Sequence, residues 1–203
     1  MQAAWWKEES VYVGWTASKK GRGLFARCSF EAGQAILVEI PLRASSHCGI
    51  AQLIVRDKRY WELAPNFGAP LPKGDRSKSQ EIAEAIVNTN AWKVNNQTEL
   101  YLYVSFCNHS CAPNAILCGA TLYTLGPIEA GAEITVSYVP VVELIASKSR
   151  RRHLLRGWML ACQCWLCQLK WLTNRQTKSV LRIQAKLETA LWNRLLTSHR
   201  NSE

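Results

Sequence analysis

Three cysteines, Cys162, Cys164 and Cys167, stand in a C-x-C-x2-C pattern. Thiolates this close in sequence can converge on one small ion, and a structural zinc site takes four ligands in a tetrahedron. Five further cysteines are available, Cys28, Cys48, Cys107, Cys111 and Cys118, and spacing alone does not choose the fourth ligand. The competing reading of the triplet is a buried apolar cluster of thiols beside Trp165 and Leu166. A second dense stretch is Phe106–Asn114, FCNHSCAPN. Its His109, taken alone, reads as an ordinary hydrogen-bonded histidine.

The chain around these residues has 203 residues, 48% of them hydrophobic and 20% charged, with 25 Lys+Arg against 15 Asp+Glu and a formal net charge of +10. That length suits one domain, or one domain with an appendage, and the balance excludes wholesale disorder. The basic surplus points to an acidic partner: nucleic acid, an acidic protein surface or anionic lipid. Met1 to Ser10 reads MQAAWWKEES, with two acids where a signal sequence needs an apolar core. No unbroken apolar run approaches the roughly 20 residues that cross a bilayer. The expectation is an intracellular protein, nuclear or cytoplasmic, whose grouped cysteines bind metal and form no disulfides. A secreted disulfide scaffold and a membrane protein are both set aside.

The elements that must position the cysteines and the FCNHSCAPN stretch are mostly short strands. Val11–Trp15, Ala35–Ile40 (AILVEI), Tyr101–Phe106, Ala115–Leu117, Thr121–Leu125 and Ile134–Val139 read as strands, bounded by Gly, Pro and charged turns. Thr121–Leu125 pairs with Ala115–Leu117 across Cys118-Gly119-Ala120. Residues 65–80, rich in Pro, Gly, Ser and charge, read as an exposed loop, with Ser79 as N-cap of a helix through Glu81, Ile82, Ala85 and Ile86. After Pro140 the pattern turns helical to about Trp158. A last helix repeats apolar residues at Val180, Ile183, Leu187, Leu191 and Leu195. No internal repeat or low-complexity tract is visible.

Four pieces, in order, carry a family resemblance. Gly21-Arg22-Gly23-Leu24-Phe25-Ala26 with Phe30-Glu31-Ala32-Gly33 resembles a GRGLFA…F-x-x-G opening. FCNHSCAPN resembles an N-H-S-C-x-P-N signature. Ile128–Tyr138 resembles an I-x-x-G-x-E-I-x-x-x-Y strand, and Arg150–Cys167 an R-x-x-L…C-x-C-x2-C segment. Thr89-Asn90-Ala91-Trp92 matches a further T-N-A-F/W element. Together they resemble the SET-domain lysine methyltransferases, in the branch of the SMYD proteins and their fungal relatives, over about residues 11 to 168.

The resemblance implies a fold that is mainly β with α: a SET domain of short β-sheets with a pseudoknot-like core, then a zinc-binding post-SET segment and C-terminal helices. Residues 1–147 would be the SET domain with a variable insertion at about 44–86, 148–168 the post-SET segment, and 169–203 a basic amphipathic helix. It also implies that Cys111 completes a structural Zn2+ site with Cys162, Cys164 and Cys167. S-adenosylmethionine would be held by Lys20, Gly21, Arg22, Gly23, Asn90, Asn108 and His109. Tyr138 would be catalytic, orienting a lysine amine at the end of a narrow channel. Tyr101, Tyr103, Phe106 and Trp158 are candidate channel or adenine walls, the alternative for each being a plain core aromatic. The chain departs from the family's pattern in three places. No MYND finger fits in residues 43–86, which hold only Cys48; Leu160 replaces an adenine-stacking phenylalanine, leaving Trp158 as the nearby aromatic; and the hairpin between Asn114 and Pro127 is short.

The leading expectation is therefore methyl transfer to a protein lysine, histone or non-histone. Its rivals are a SET-like scaffold that only binds, and a nucleic-acid-binding protein acting through its tail. The charge is not spread evenly. Residues 1–147 hold 13 basic and 13 acidic residues, whereas residues 148–203 hold 12 basic and two acidic ones. Arg150, Arg151, Arg152 and Arg156 are placed to balance a zinc–thiolate cluster. The rest of the tail is either a solvated face or a docking strip for chromatin, nucleic acid or another acidic partner.

Overall fold

A computed structural model describes residues 9–16, 21–63, 76–94, 96–144, 146–158 and 161–168. In chain order the elements are β1 (Val11–Trp15), β2 (Arg22–Ala26), β3 (Ala35–Val38), β4 (Leu42–Ala44), α1 (His47–Arg56), α2 (Arg76–Asn90), β5 (Trp92–Val94), β6 (Gln97–Leu100), β7 (Asn108–His109), β8 (Ala115–Cys118), β9 (Thr121–Thr124) and β10 (Glu133–Val136). Three short helices close the described part: α3 (Val141–Leu144), α4 (Lys148–Leu154) and α5 (Trp165–Gln168).

Three small sheets share these strands. One has the order β1-β2-β10-β7, one β3-β9-β8 and one β4-β6-β5. In the first, β10 lies antiparallel to β2 and parallel to β7. A late segment is thus interleaved between the N-terminal hairpin and the strand of the NHSC motif, which is the expected pseudoknot-like arrangement. Leu24, Ala26, Leu122 and Ile134 are fully buried where these sheets meet. Hydrogen bonds outside the ladders tie the threaded strand down. Asn114 Oδ1 accepts from Thr135 N at 2.7 Å, and Asn114 Nδ2 donates to Glu133 O at 2.8 Å, so one side chain stands in for a neighbouring strand.

Several expected elements are shifted, each for a physical reason. The insertion holds α1, whose Ser46 side chain accepts from Gly49 N and whose Ile50, Ala51 and Ile54 pack a second core with α2 and Leu100. Ser79 is not an N-cap but lies inside α2, because the helix-tolerant run from Arg76 carries the helix a turn further upstream. Of the exposed loop expected at 65–80, residues 65–75 lie outside the described residues and 76–80 belong to α2. The strand expected at Tyr101–Phe106 does not form: β6 ends before it, at Leu100, and a 3-10 turn takes Val104–Phe106. Buried Glu39 draws the amides of Leu102, Tyr103 and Val104 onto one carboxylate, which an extended ladder does not allow. The helix expected from Val141 to Trp158 is broken into α3, α4 and a 3-10 turn at Leu155–Trp158, with Ser147 capping α4. The C-terminal helix at 169–203 lies outside the described residues.

Candidate functional site

The parallel pairing of β7 with β10 sets Thr135 beside Asn108 and Val136 beside His109. Two residues further along, Tyr138 N donates to His109 Nδ1 at 3.1 Å, while His109 Nε2 lies 3.3 Å from Cys111 Sγ. Since Nδ1 accepts, Nε2 carries the proton and donates to the sulfur. His109 is buried with both ring nitrogens committed, so only its backbone is left for a ligand.

Tyr138 sits between the rings of His109 and Trp158, each with its centroid 5.4 Å away. Its hydroxyl donates to Cys107 O at 2.9 Å. Burial, reinforced by Cys107 and Glu133, pushes its pKa above the ordinary phenol value, so the phenol stays neutral at ordinary pH. The ring lines a cavity of about 590 Å³ whose other walls include Asn90, Cys107, Ile116, Leu117 and Trp158. Trp158 is fixed there by Nε1 donating to Thr89 O at 3.2 Å. Of the other aromatic candidates, Tyr101 is a core residue, its hydroxyl 2.7 Å from buried Glu99. Tyr103 and Phe106 pack against the core, and neither lines the cavity.

The glycine-rich opening lies on the other side of β7. Gly21 has φ +88°, open to glycine at little cost, and its carbonyl accepts from both the amide and the hydroxyl of Thr16. A Cβ on Gly23 would stand 2.9 Å from Glu133 Oε1 and 3.0 Å from Asn108 Nδ2. Asn108 Nδ2 donates to Arg22 O at 3.1 Å and to Glu133 Oε1 at 2.7 Å. Both amide protons are spent, which leaves Oδ1 to accept from a ligand. The Arg22 guanidinium stacks 5.0 Å over Phe106 and pairs with Glu62. Lys20 and Leu160 lie outside the described residues. Of the predicted site residues, Asn90, Tyr138 and Trp158 line the cavity. Gly21, Arg22, Gly23, Asn108 and His109 do not, and join it only through β7 and β10.

Cys111, Cys162, Cys164 and Cys167 converge, their sulfurs all within 4.8 Å of one another. Four thiolates around zinc at about 2.3 Å stand about 3.8 Å apart, so the donor set and spacing fit that ion. The thiols already compete for protons: their mutual hydrogen bond holds Cys111 far above the ordinary thiol range and Cys162 far below it. A dication would stabilise all four as thiolates. Of the four arginines expected to balance the cluster, only Arg151 reaches it. It is 1% exposed, with Nη2 3.7 Å from Cys167 Sγ and Nη1 2.6 Å from Ala146 O. Arg150 pairs with Glu143 at the surface, and Arg152 and Arg156 are exposed. The alternative thiol pocket beside Trp165 and Leu166 is half right, since Leu166 is buried while Trp165 is 51% exposed.

The roles of Glu39, Asn114, Glu133 and Arg151 were not found from sequence, although Asn114 and Glu133 stand at fixed positions of the N-H-S-C-x-P-N and I-x-x-G-x-E-I-x-x-x-Y patterns and Glu39 is an acid at an inward position of the apolar run AILVEI.

Comparison with known proteins places this geometry. A family model described as SET domain matches residues 21–139. Histone-lysine N-methyltransferase SET5 of Saccharomyces cerevisiae is 30% identical over 122 residues, covering 56% of this chain and 22% of that protein. Protein-lysine N-trimethyltransferase SMYD5 of Gallus gallus is 39% identical over 75 residues, 34% of this chain and 18% of its own length. A SET domain-containing protein of Dictyostelium discoideum is 30% identical over 91 residues, 43% of this chain and 23% of its own. The chain thus spans about a fifth of the length of these relatives.

Proposed function

The chain belongs to the SET-domain family, and from that premise we propose that it transfers a methyl group from S-adenosylmethionine to a lysine side chain of a protein. Tyr138 carries the reading: a neutral, half-buried phenol, anchored at the wall of a largely apolar cavity, two residues beyond the pairing of β10 with the NHSC strand. When bound, S-adenosylmethionine supplies an electrophilic methyl on a sulfonium. The protein's part is placement and field, since in-line displacement needs no covalent help. Tyr138 orients the lysine nitrogen. The apolar walls favour the neutral amine, whose ordinary pKa is about 10.4, by penalising its charged form.

On this reading Asn108 Oδ1 accepts from the cofactor's ammonium, while the backbone of Lys20 to Gly23 and the polar group of Asn90 hold its methionine end. His109 contributes through its backbone, and Trp158 offers the face against which adenine stacks. Cys111, Cys162, Cys164 and Cys167 hold structural zinc, tying the post-SET segment 148–168 to the SET domain of residues 1–147. Substrates are proteins, histones among them, as in the printed name of the yeast relative; nuclear or cytoplasmic residence goes with such substrates. The variable insertion at about 44–86 and the basic tail at 169–203 are the candidate substrate-selecting parts.

The test titrates purified protein with S-adenosylmethionine by calorimetry, then follows labelled methyl into histones and cell extract. Tyr138→Phe is expected to lower turnover by about 10²–10³-fold while cofactor affinity holds. No binding heat and no transferred label would overturn the enzyme reading, and undiminished label in Tyr138→Phe would overturn the role of Tyr138.

A further inference from the structure

We infer that Glu39 is a positioning residue for Tyr138, an inference that rests on the methyl-transfer reading above. Glu39 follows β3 at an inward position. It is 1% exposed, whereas its neighbours Val38 and Ile40 are 51% and 68% exposed. The register is fixed by Val38 opposite Thr121 and by Glu39 N donating to Ala120 O. A slip of one residue would bury two β-branched aliphatics and release the acid to water, the arrangement hydrophobic burial favours. Such a local violation belongs at functional or strained sites.

The buried carboxylate has no cationic partner among the described residues. Its oxygens are taken up by backbone instead. Leu102 N donates to Oε1, Tyr103 N to both oxygens at 3.1 and 3.0 Å, and Val104 N to Oε2 at 3.1 Å. Three successive amides aimed at one centre form an anion-binding concavity, and only a carboxylate offers it two acceptor oxygens with no competing donor. A glutamine would present an NH2 to an N–H.

From that anchor a path of hydrogen bonds runs to the reacting end of the cavity. Val104 O, on the residue whose amide Glu39 holds, accepts from Cys107 N at 3.0 Å. Cys107 O then accepts from the Tyr138 hydroxyl at 2.9 Å. Phe106 N to Tyr103 O, at 2.9 Å, closes the same turn. Glu39 therefore sets the pitch of the Val104–Phe106 turn, and the turn sets the carbonyl that aims the phenol. Glu39 itself does not line the cavity.

A double-mutant cycle tests this on the full chain, using Glu39→Gln, Tyr138→Phe and the pair. Methyl transfer is read as kcat and KM, cofactor affinity by calorimetry, and folding by thermal melt. Glu39→Gln is expected to lower kcat about 10–100-fold in the native background and by no more than about threefold on top of Tyr138→Phe. Cofactor affinity is expected to stay within about twofold. Glu39→Asp, which keeps the charge but retracts it by one methylene, is expected to fall between and carries the cycle if Glu39→Gln does not fold. Equal losses in both backgrounds, or no loss, would overturn the inference, as would failure of both variants to fold. An inactive native protein, or an active Tyr138→Phe, would instead overturn the reading beneath it. In that case amide exchange still decides: Phe106 and Cys107 are expected to exchange faster in the folded Glu39 variant, and unchanged protection would refute the path.

Discussion

Replacing Arg151 with methionine removes a charge from beside the cysteine cluster while nearly conserving length. Two contributions add. Nη1 serves the carbonyls of Ala146 and Leu144, at 2.6 and 3.5 Å, at the break between α3 and α4; leaving such buried acceptors unpaired costs about 1–3 kcal/mol. Nη2 lies 3.7 Å from Cys167 Sγ. With zinc on four thiolates the centre carries a formal charge of about −2, and loss of an outer partner to a metal ligand weakens binding about 10–100-fold, or about 1.4–2.8 kcal/mol. The sum, about 2.4–5.8 kcal/mol, brackets the cost of about 3–5 kcal/mol for stripping one partner from a buried ion pair. At about 2–4 °C per kcal/mol for a chain of this size, the melting temperature should fall by roughly 5–23 °C. Zinc affinity would be measured by competition with a chelating dye, and stability by thermal melt with and without chelator. Arg152→Met, at an exposed position, should change stability by less than about 0.5 kcal/mol. Equal zinc affinity in Arg151→Met and the native chain, or an equal defect in Arg152→Met, would refute the assignment.

Gly23→Ala places a Cβ 2.9 Å from Glu133 Oε1 and Thr16 Cγ2; overpacking of this kind costs about 1–3 kcal/mol, and calorimetry should show cofactor affinity falling with it. Asn114→Ala removes the side-chain hydrogen bonds that hold Thr135 and Glu133, at about 0.5–1.5 kcal/mol each. A melt should register a loss of about 1.5–4.5 kcal/mol, while Asn114→Asp, which keeps the acceptor for Thr135 N, should lose less. Burial raises the Glu39 carboxyl above its ordinary 4.5, and the amides of Val104, Leu102 and Tyr103 only partly oppose it. The folded chain then binds that proton more readily than the unfolded one. The contribution to stability is full below about pH 4.5 and is lost as pH rises through the folded value. The stability of native protein relative to Glu39→Gln should accordingly rise as pH falls toward 4.5, and a flat difference between their melts would show that Glu39 does not titrate above its ordinary value.

The strands that sequence located best were those whose fate is decided locally. Ala115–Leu117 and Thr121–Leu125 flank a glycine turn, and the observed hairpin, β8 and β9, differs from them by one residue at each strand's end. Elements governed from a distance were lost. The amides of Leu102 to Val104 leave the extended conformation because of a carboxylate more than sixty positions away. Helix α1 hid its signal differently: Gly49 and Cys48 dilute its first turn, and its apolar residues are read as helical only once Ser46 is recognised as the cap. Arg151 could not be told from Arg150 or Arg152 because only the breaks at Ala146 and Ser147 decide which side chain turns inward.

The NHSC stretch was legible through its resemblance to a family signature, and the fold shows what its spacing does. In a strand, successive side chains point to opposite faces. Asn108 therefore reaches Arg22 O and Glu133, while His109 reaches the Tyr138 amide and the Cys111 sulfur. The parallel register with Thr135 and Val136 brings Tyr138 to that same histidine. The glycine-rich turn, the phenol and the thiol cluster thus meet across two strand residues and the cysteine two further on. One inserted residue would reverse the faces of Asn108 and His109 and part all three groups at once.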